Sequence, residues 1–224
     1  MTDQLSTDQQ AEPEPPAPPA VVRERFGPYE TSLRHYVKLL AGPGTVRGLL
    51  GPREIPRLWD RHVLNSVALS ELLPVGARLV DIGTGAGLPG LAVACVRPDL
   101  KVDLVESLLR RTDFLSEVVR ELGLSERVRV VRGRAEDRDV IRTVGSTMFV
   151  TARAVAPLDK LAKWSFPLLK RGGSLLAIKG DQAEAELAEH RSMLTRMRAE
   201  IGGVVECGAG LVDPPTRVVA LTRR

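Results

Sequence analysis

Between residues 29 and 40 the apolar residues Leu33, Tyr36, Val37 and Leu40 recur at spacings of three and four. That period is the mark of an amphipathic helix, and Gly42, Pro43 and Gly44 predict its end. A second helical stretch covers 58–73, with Leu58, Val63, Leu64, Val67, Ala68 and Leu72 apolar and Pro74 and Gly76 beyond it. From residue 78 the pattern changes. Short apolar runs at 78–82, 102–105, 128–131, 148–151 and 174–178 predict strands. Helical stretches at about 89–96, 108–122, 158–169 and 182–199 alternate with them. Two last strands, near 203–207 and 217–221, flank a turn containing Asp213, Pro214 and Pro215. This alternation predicts an α/β fold with a doubly wound, mostly parallel sheet covered on both faces. The last two strands have no helix between them, so they should pair antiparallel. Residues 23–75 read as an N-terminal helical extension and 76–224 as the sheet domain.

Composition narrows the class. The chain has 224 residues, 43% of them hydrophobic, which is enough for a sizeable core. Neither a membrane span of roughly 18 apolar residues nor a secretory leader is expected, and the expected location is the cytoplasm. Cys95 and Cys207 form neither a disulfide framework nor a metal pattern; no metal is expected. The net charge of +4 is unevenly spread. Residues 1–22 hold four acidic residues and no Lys or Arg, which leaves +8 on the remainder. That segment is also proline-rich, and it is expected to be a disordered acidic tail. The basic remainder, with Arg far outnumbering Lys, permits a polyanionic partner. Codon usage alone also produces such an Arg excess.

The most informative segment runs from Asp81 to Gly90, with Gly83, Gly85, Gly87 and Gly90 between a strand and a helix. Glycines there allow a tight turn and close approach to a ligand. Gly85, Gly87 and Gly90 satisfy the dinucleotide fingerprint. Asp81 with Gly83, Gly85 and Gly87 is similar to the first motif of S-adenosylmethionine (SAM) methyltransferases. A carboxylate at the loop entrance repels a pyrophosphate and suits a ligand bearing an ammonium and a sulfonium, so Asp81 tilts the choice toward SAM. Glu106 ends the second strand, where a carboxylate serves ribose hydroxyls in either class. Gly133, Arg134, Ala135, Glu136 and Asp137 follow the third strand, a loop that reads the adenine edge in methyltransferases.

Five blocks then resemble the RsmG (GidB) family. They are residues 58–66 (LWDRHVLNS), 81–90 with its Leu-Pro-Gly ending, 106–115 (ESLLRRTDFL), 133–136 (GRAE) and 152–158 (ARAVAPL). The resemblance covers most of residues 28–224. It implies a Rossmann-like SAM methyltransferase fold and methyl transfer to N7 of one guanine in 16S ribosomal RNA, with the RNA or the small subunit as partner. It also implies cofactor contacts at Gly83, Leu88, Ala135, Glu136 and Arg153. Position 106 more often carries Asp in relatives.

The chemistry suits that implication. Guanine N7 already offers a lone pair, so catalysis reduces to positioning and electrostatics, and no general base is expected. Arg153 is the candidate catalytic residue: it can donate to guanine O6 or a phosphate. A salt bridge from Arg153 to Asp81 or Glu136 is the equal alternative. Arg61, His62, Asn65 and Lys179 are candidate RNA contacts, and Trp59 is expected in the core. Arg110, Arg111, Arg132, Arg134 and Arg138 are further candidates for phosphate. A monomer is expected. The competing readings are a SAM methyltransferase for another RNA or a small molecule, a nucleotide-dependent dehydrogenase, and an RNA-binding protein without catalysis.

Overall fold

The computed structural model describes residues 14–224. Seven strands form one sheet in the order β3-β2-β1-β4-β5-β7-β6. They are β1 (Arg78–Ile82), β2 (Lys101–Glu106), β3 (Val128–Arg132), β4 (Thr147–Arg153), β5 (Leu169–Lys179), β6 (Ala199–Cys207) and β7 (Thr216–Arg223). The first five pair in parallel, and β7 lies antiparallel between β5 and β6. The order reverses between β1 and β4. In open sheets of this kind, ligands bind at that switch point, outside the carboxyl ends of the strands.

Side chains alternate across the sheet and feed two cores. Leu79 and Leu104 join one cluster, Val80, Ile82 and Val105 the other. Over the first face lie α1 (Ala20–Phe26), α2 (Glu30–Leu39), α3 (Asn65–Val67), α4 (Gly90–Val96) and α5 (Leu109–Glu121). Over the second lie α6 (Arg138–Val144), α7 (Leu158–Ser165) and α8 (Ala183–Arg196). Every residue of α4 is buried, because it sits between the sheet and the N-terminal helices and so must be apolar all round. The N-terminal helices share one hydrophobic cluster with β1 and β2, so the extension is part of the same core.

Several boundaries differ from expectation. Residues 20–22 of the expected tail are helical, Val22 is buried, and the Pro16 carbonyl accepts from Trp59 Nε1 at 2.8 Å. Residues 14–22 therefore pack on the body; the expectation for 1–13 lies outside the described residues. Gly42, Pro43 and Gly44 do not end their helix. They form a π turn (Leu40–Gly44) that widens around the missing proline N–H, while Thr45 Oγ1 donates to the Leu40 carbonyl. Leu58 to Leu72 is helical throughout but changes pitch, from a π turn (Leu58–Leu64) through α3 to a 3-10 turn (Ala68–Leu72). The helix expected over 158–169 ends at Ser165 with a 3-10 turn, and Leu169 already opens β5. The helix expected to 199 stops at Arg196, and Ala199 opens β6. Pairing of Thr147 with Leu169 and of Ala199 with Arg223 draws these residues into the sheet. The short α6, with Val140 and Val144 buried four apart, was not expected at all.

Candidate active site

The turn after β1 is held from behind. Asp81 is completely buried, and its Oδ2 accepts from the Gly90 N–H at 2.8 Å and the Thr84 hydroxyl at 2.5 Å. Its Oδ1 has no partner among the described residues. Burial pushes the carboxyl up to about 7 against the pull of those two bonds and of Arg153. Glu106, also buried, does for the other side of the turn what Asp81 does for this one. Its Oε2 accepts from the Gly85 N–H at 3.0 Å, and its Oε1 from the N–H groups of Ser107 and Leu108 at 2.8 and 3.0 Å. Arg111 lies 3.5 Å from it. From the N-terminal extension, the buried Tyr36 hydroxyl donates to the Ala86 carbonyl at 2.9 Å. No local sequence signal points to that bond.

Two cavities open at the carboxyl ends of the strands. The first, about 290 Å³, is walled by Ile82, Gly83, Val105, Ser107, Gly133, Arg134, Ala135, Glu136, Val155 and Trp164. Of the expected cofactor contacts, Gly83, Ala135 and Glu136 stand on this wall. Leu88 and Gly87 are buried in the core behind it, and Asp81, Gly85 and Glu106 shape the turn rather than face the space. Sequence reading missed Val155 and Trp164. Trp164 flanks the apolar stripe Leu158, Leu161, Ala162 and Ser165 of α7, a position that reads equally as ordinary packing.

SAM can be tested against these walls. Apolar and aromatic side chains (Ile82, Val105, Ala135, Val155, Trp164) suit a purine face, and Ser107 and Glu136 offer polar atoms at the rim. Gly83 must stay bare, since a Cβ there would sit 2.9 Å from both Val155 methyls. Asp81 stands behind the turn and shapes it through the Gly90 N–H and the Thr84 hydroxyl. The residues fit the cofactor.

The second cavity, about 610 Å³, collects Arg61, His62, Asn65, Arg153 and Lys179, together with Glu54, Asp60, Asp181, Asp213 and Arg217. Arg61, His62, Asn65 and Lys179 therefore stand around one space, with Arg153 among them rather than on the wall of the first cavity; none of the five further arginines lines it. The expected roles change in detail. Neither proposed salt bridge of Arg153 forms. Its Nη1 donates to the carbonyls of Arg61 and His62 at 3.2 and 3.1 Å and to Ser66 Oγ at 3.1 Å. Its Nη2 lies 2.7 Å from His62 Nδ1. His62 is buried, with Nε2 2.7 Å from Glu54 Oε2, so both ring nitrogens are taken. Asn65 Nδ2 donates to Thr216 Oγ1 at 2.9 Å, tying the helical run to β7. Lys179 Nζ donates to Glu186 Oε1 at 2.8 Å and to the Ala156 carbonyl at 2.9 Å. It anchors the loop after β4 instead of facing a phosphate. Arg61 is exposed.

Consecutive residues line the two spaces. Arg153 and Ala154 line the second cavity and Val155 the first. Ala154 has φ of 55°, a left-handed conformation that a non-glycine residue holds only where its surroundings impose it.

A doubly wound sheet with a glycine turn at its switch point, a purine-fitting slot at the β3 loop and a second space across one short wall defines a Rossmann-like methyltransferase that uses SAM. Solved structures support the fold. A tRNA methyltransferase of B. subtilis, TrmK, aligns with TM-score 0.53 at 19% identity over 74% of this chain and 66% of its own. A SAM-dependent methyltransferase from Aquifex aeolicus aligns with TM-score 0.53 at 19% identity over 78% of this chain and 100% of its own. Sequence relatives are far more similar. The protein of Mycolicibacterium gilvum called ribosomal RNA small subunit methyltransferase G is 53% identical over 91% of this chain and 89% of its own. The one of the same name from Thermobifida fusca is 53% identical over 92% and 85%. The family model described as GidB, rRNA small subunit methyltransferase G, matches residues 29–212, and the chain belongs to that family.

Proposed function

We propose that this enzyme transfers a methyl group from SAM to N7 of one guanine in 16S ribosomal RNA, with the nucleotide seated in the second cavity. The shared wall carries the reading: the segment from Arg153 to Val155 places a substrate-sized space directly beside the cofactor slot. Bound SAM supplies an electrophilic methyl group on a sulfonium. The chain's own task is to hold the base in line with it and to keep charge balanced. Arg153 has its Nη1 edge committed, while Nε–H and one Nη2–H are without partners among the described residues. A guanidinium side so disposed donates to guanine O6 or to a phosphate and leaves the N7 lone pair free to attack. N7 carries no proton to remove, so the occupied ring nitrogens of His62 are no obstacle. Positive charge passes from sulfur to the purine ring, and the carboxylates of Asp60, Asp181 and Asp213 on the cavity wall favour that charge.

On this reading the enzyme works in the cytoplasm, where small subunits assemble. One chain suffices, because both cavities are built within it. Among the described residues no helix is long and apolar enough to cross a membrane. The test is incubation with methyl-labelled SAM and small subunits lacking the modification, followed by mapping of 7-methylguanosine. Label at one guanine N7 is the expected result. Label confined to another RNA or to a small molecule would replace the substrate, and no label anywhere would remove the reading.

A further inference from the structure

The half-buried chain Glu54–His62–Arg153, with His62 itself buried, contains a choice of tautomer that the hydrogen bonds themselves make. Arginine only donates. His62 Nδ1, 2.7 Å from Arg153 Nη2, must therefore accept, and the ring proton must sit on Nε2, where it is donated to Glu54 Oε2 at 2.7 Å. Ser66 Oγ closes the arrangement by accepting from Arg153 Nη1 and donating to the His62 carbonyl at 2.6 Å. Three elements meet here: the 3-10 turn Pro52–Arg57 brings Glu54, the run from Leu58 brings His62 and Arg61, and the end of β4 brings Arg153. The charged groups facing the imidazole are Glu54, Arg61 and Arg153. Directly after Arg153 comes left-handed Ala154, then Val155 on the cofactor wall.

We propose that His62, as its neutral Nε2–H tautomer, is a positioning residue for methyl transfer: it fixes the Arg153 guanidinium and, through it, the wall between the two cavities. The proposal rests on the reading that the second cavity holds the nucleotide. A second proton on His62 would set an N–H against a guanidinium N–H, so protonation breaks that contact and leaves Arg153 held through Nη1 alone. Burial holds the imidazole below its ordinary value; the Glu54 bond opposes this and the Arg153 charge adds to it.

Two measurements on the full chain test this. Nitrogen-15 NMR of histidine-labelled protein is expected to show His62 with a bare Nδ1 and a protonated Nε2 at neutral pH; an Nδ1–H signal would overturn the proposal. The pH profile of kcat with small subunits is expected to have an acid limb that follows the His62 titration. In Glu54→Gln, which removes the charge favouring imidazolium, the NMR titration and the limb should both move to lower pH. A limb that stays while the titration moves would show a merely structural histidine. His62→Ala should lower kcat at least about tenfold with the KM for SAM nearly unchanged; retained kcat would overturn the proposal. If that variant does not fold, Glu54→Gln and the tautomer still decide. A wild-type enzyme that labels no small-subunit RNA would remove the substrate reading, and the NMR result would stand or fall independently.

Discussion

Gly85 and Gly90 look alike in the sequence motif but serve the turn in different ways. Gly85 adopts φ of 61°, and a Cβ on it would meet nothing closer than 4.0 Å. Gly90 needs space: a Cβ there would lie 2.7 Å from Leu104 Cδ2 and 2.8 Å from Asp81 Cβ. Gly85→Ala should therefore cost about 1 kcal/mol, the strain of a left-handed alanine. Gly90→Ala should cost about 3 kcal/mol, because overpacking there pushes on a buried carboxyl and a core leucine. Urea denaturation of the two variants checks the order. The acidic positions show the same limit of sequence reading. That Asp81 and Glu106 stand at strand ends was legible. That they accept from backbone N–H groups of the turn was not, because their donors at Gly90 and Gly85 come into reach only once the turn has closed.

Among the elements, strand alternation and the long amphipathic stretches were readable, since burial of one face imposes the period directly. What escaped was short or under conflicting demands. Of the seven residues of α6 only Val140 and Val144 are buried, with Ile141 half-buried beside them, too few for a periodic signal. The π turn at Leu40–Gly44 survives a Gly-Pro-Gly run because its residues are packed in the core, Gly44 against Phe114, and tertiary packing overrides local propensity. α7 brings Trp164 to the wall of the first cavity, the proposed seat of the cofactor. Removing that indole in Trp164→Ala should weaken SAM binding about tenfold, within the range of base–aromatic stacking. Titration calorimetry measures the loss, and in the wild type cofactor binding should change tryptophan fluorescence; unchanged affinity would place the adenine elsewhere.

Across the whole molecule, charge separates regions that the overall balance conceals. The basic excess of the body faces outward at Arg110, Arg132 and Arg138, all exposed at or just beyond the ends of β2 and β3. Binding to small-subunit RNA should weaken steeply with salt. Replacing these three arginines with Gln should flatten the logarithmic slope by about one unit for each phosphate they neutralise. Fluorescence anisotropy over a salt series measures both. Local pattern alone determined the α/β class, the alternation of strands with most of the helices, the glycine turn and the blocks that mark the family, because periodicity and turn chemistry act between residues close along the chain. The tertiary structure alone decided that Arg153 and His62 belong to the second cavity, that Lys179 is committed to Glu186, and that Tyr36 pins the glycine turn. Residues 62 and 153 meet only when the helical run folds over the end of β4. Which donor finds which acceptor across such a distance depends on the packing of the whole core.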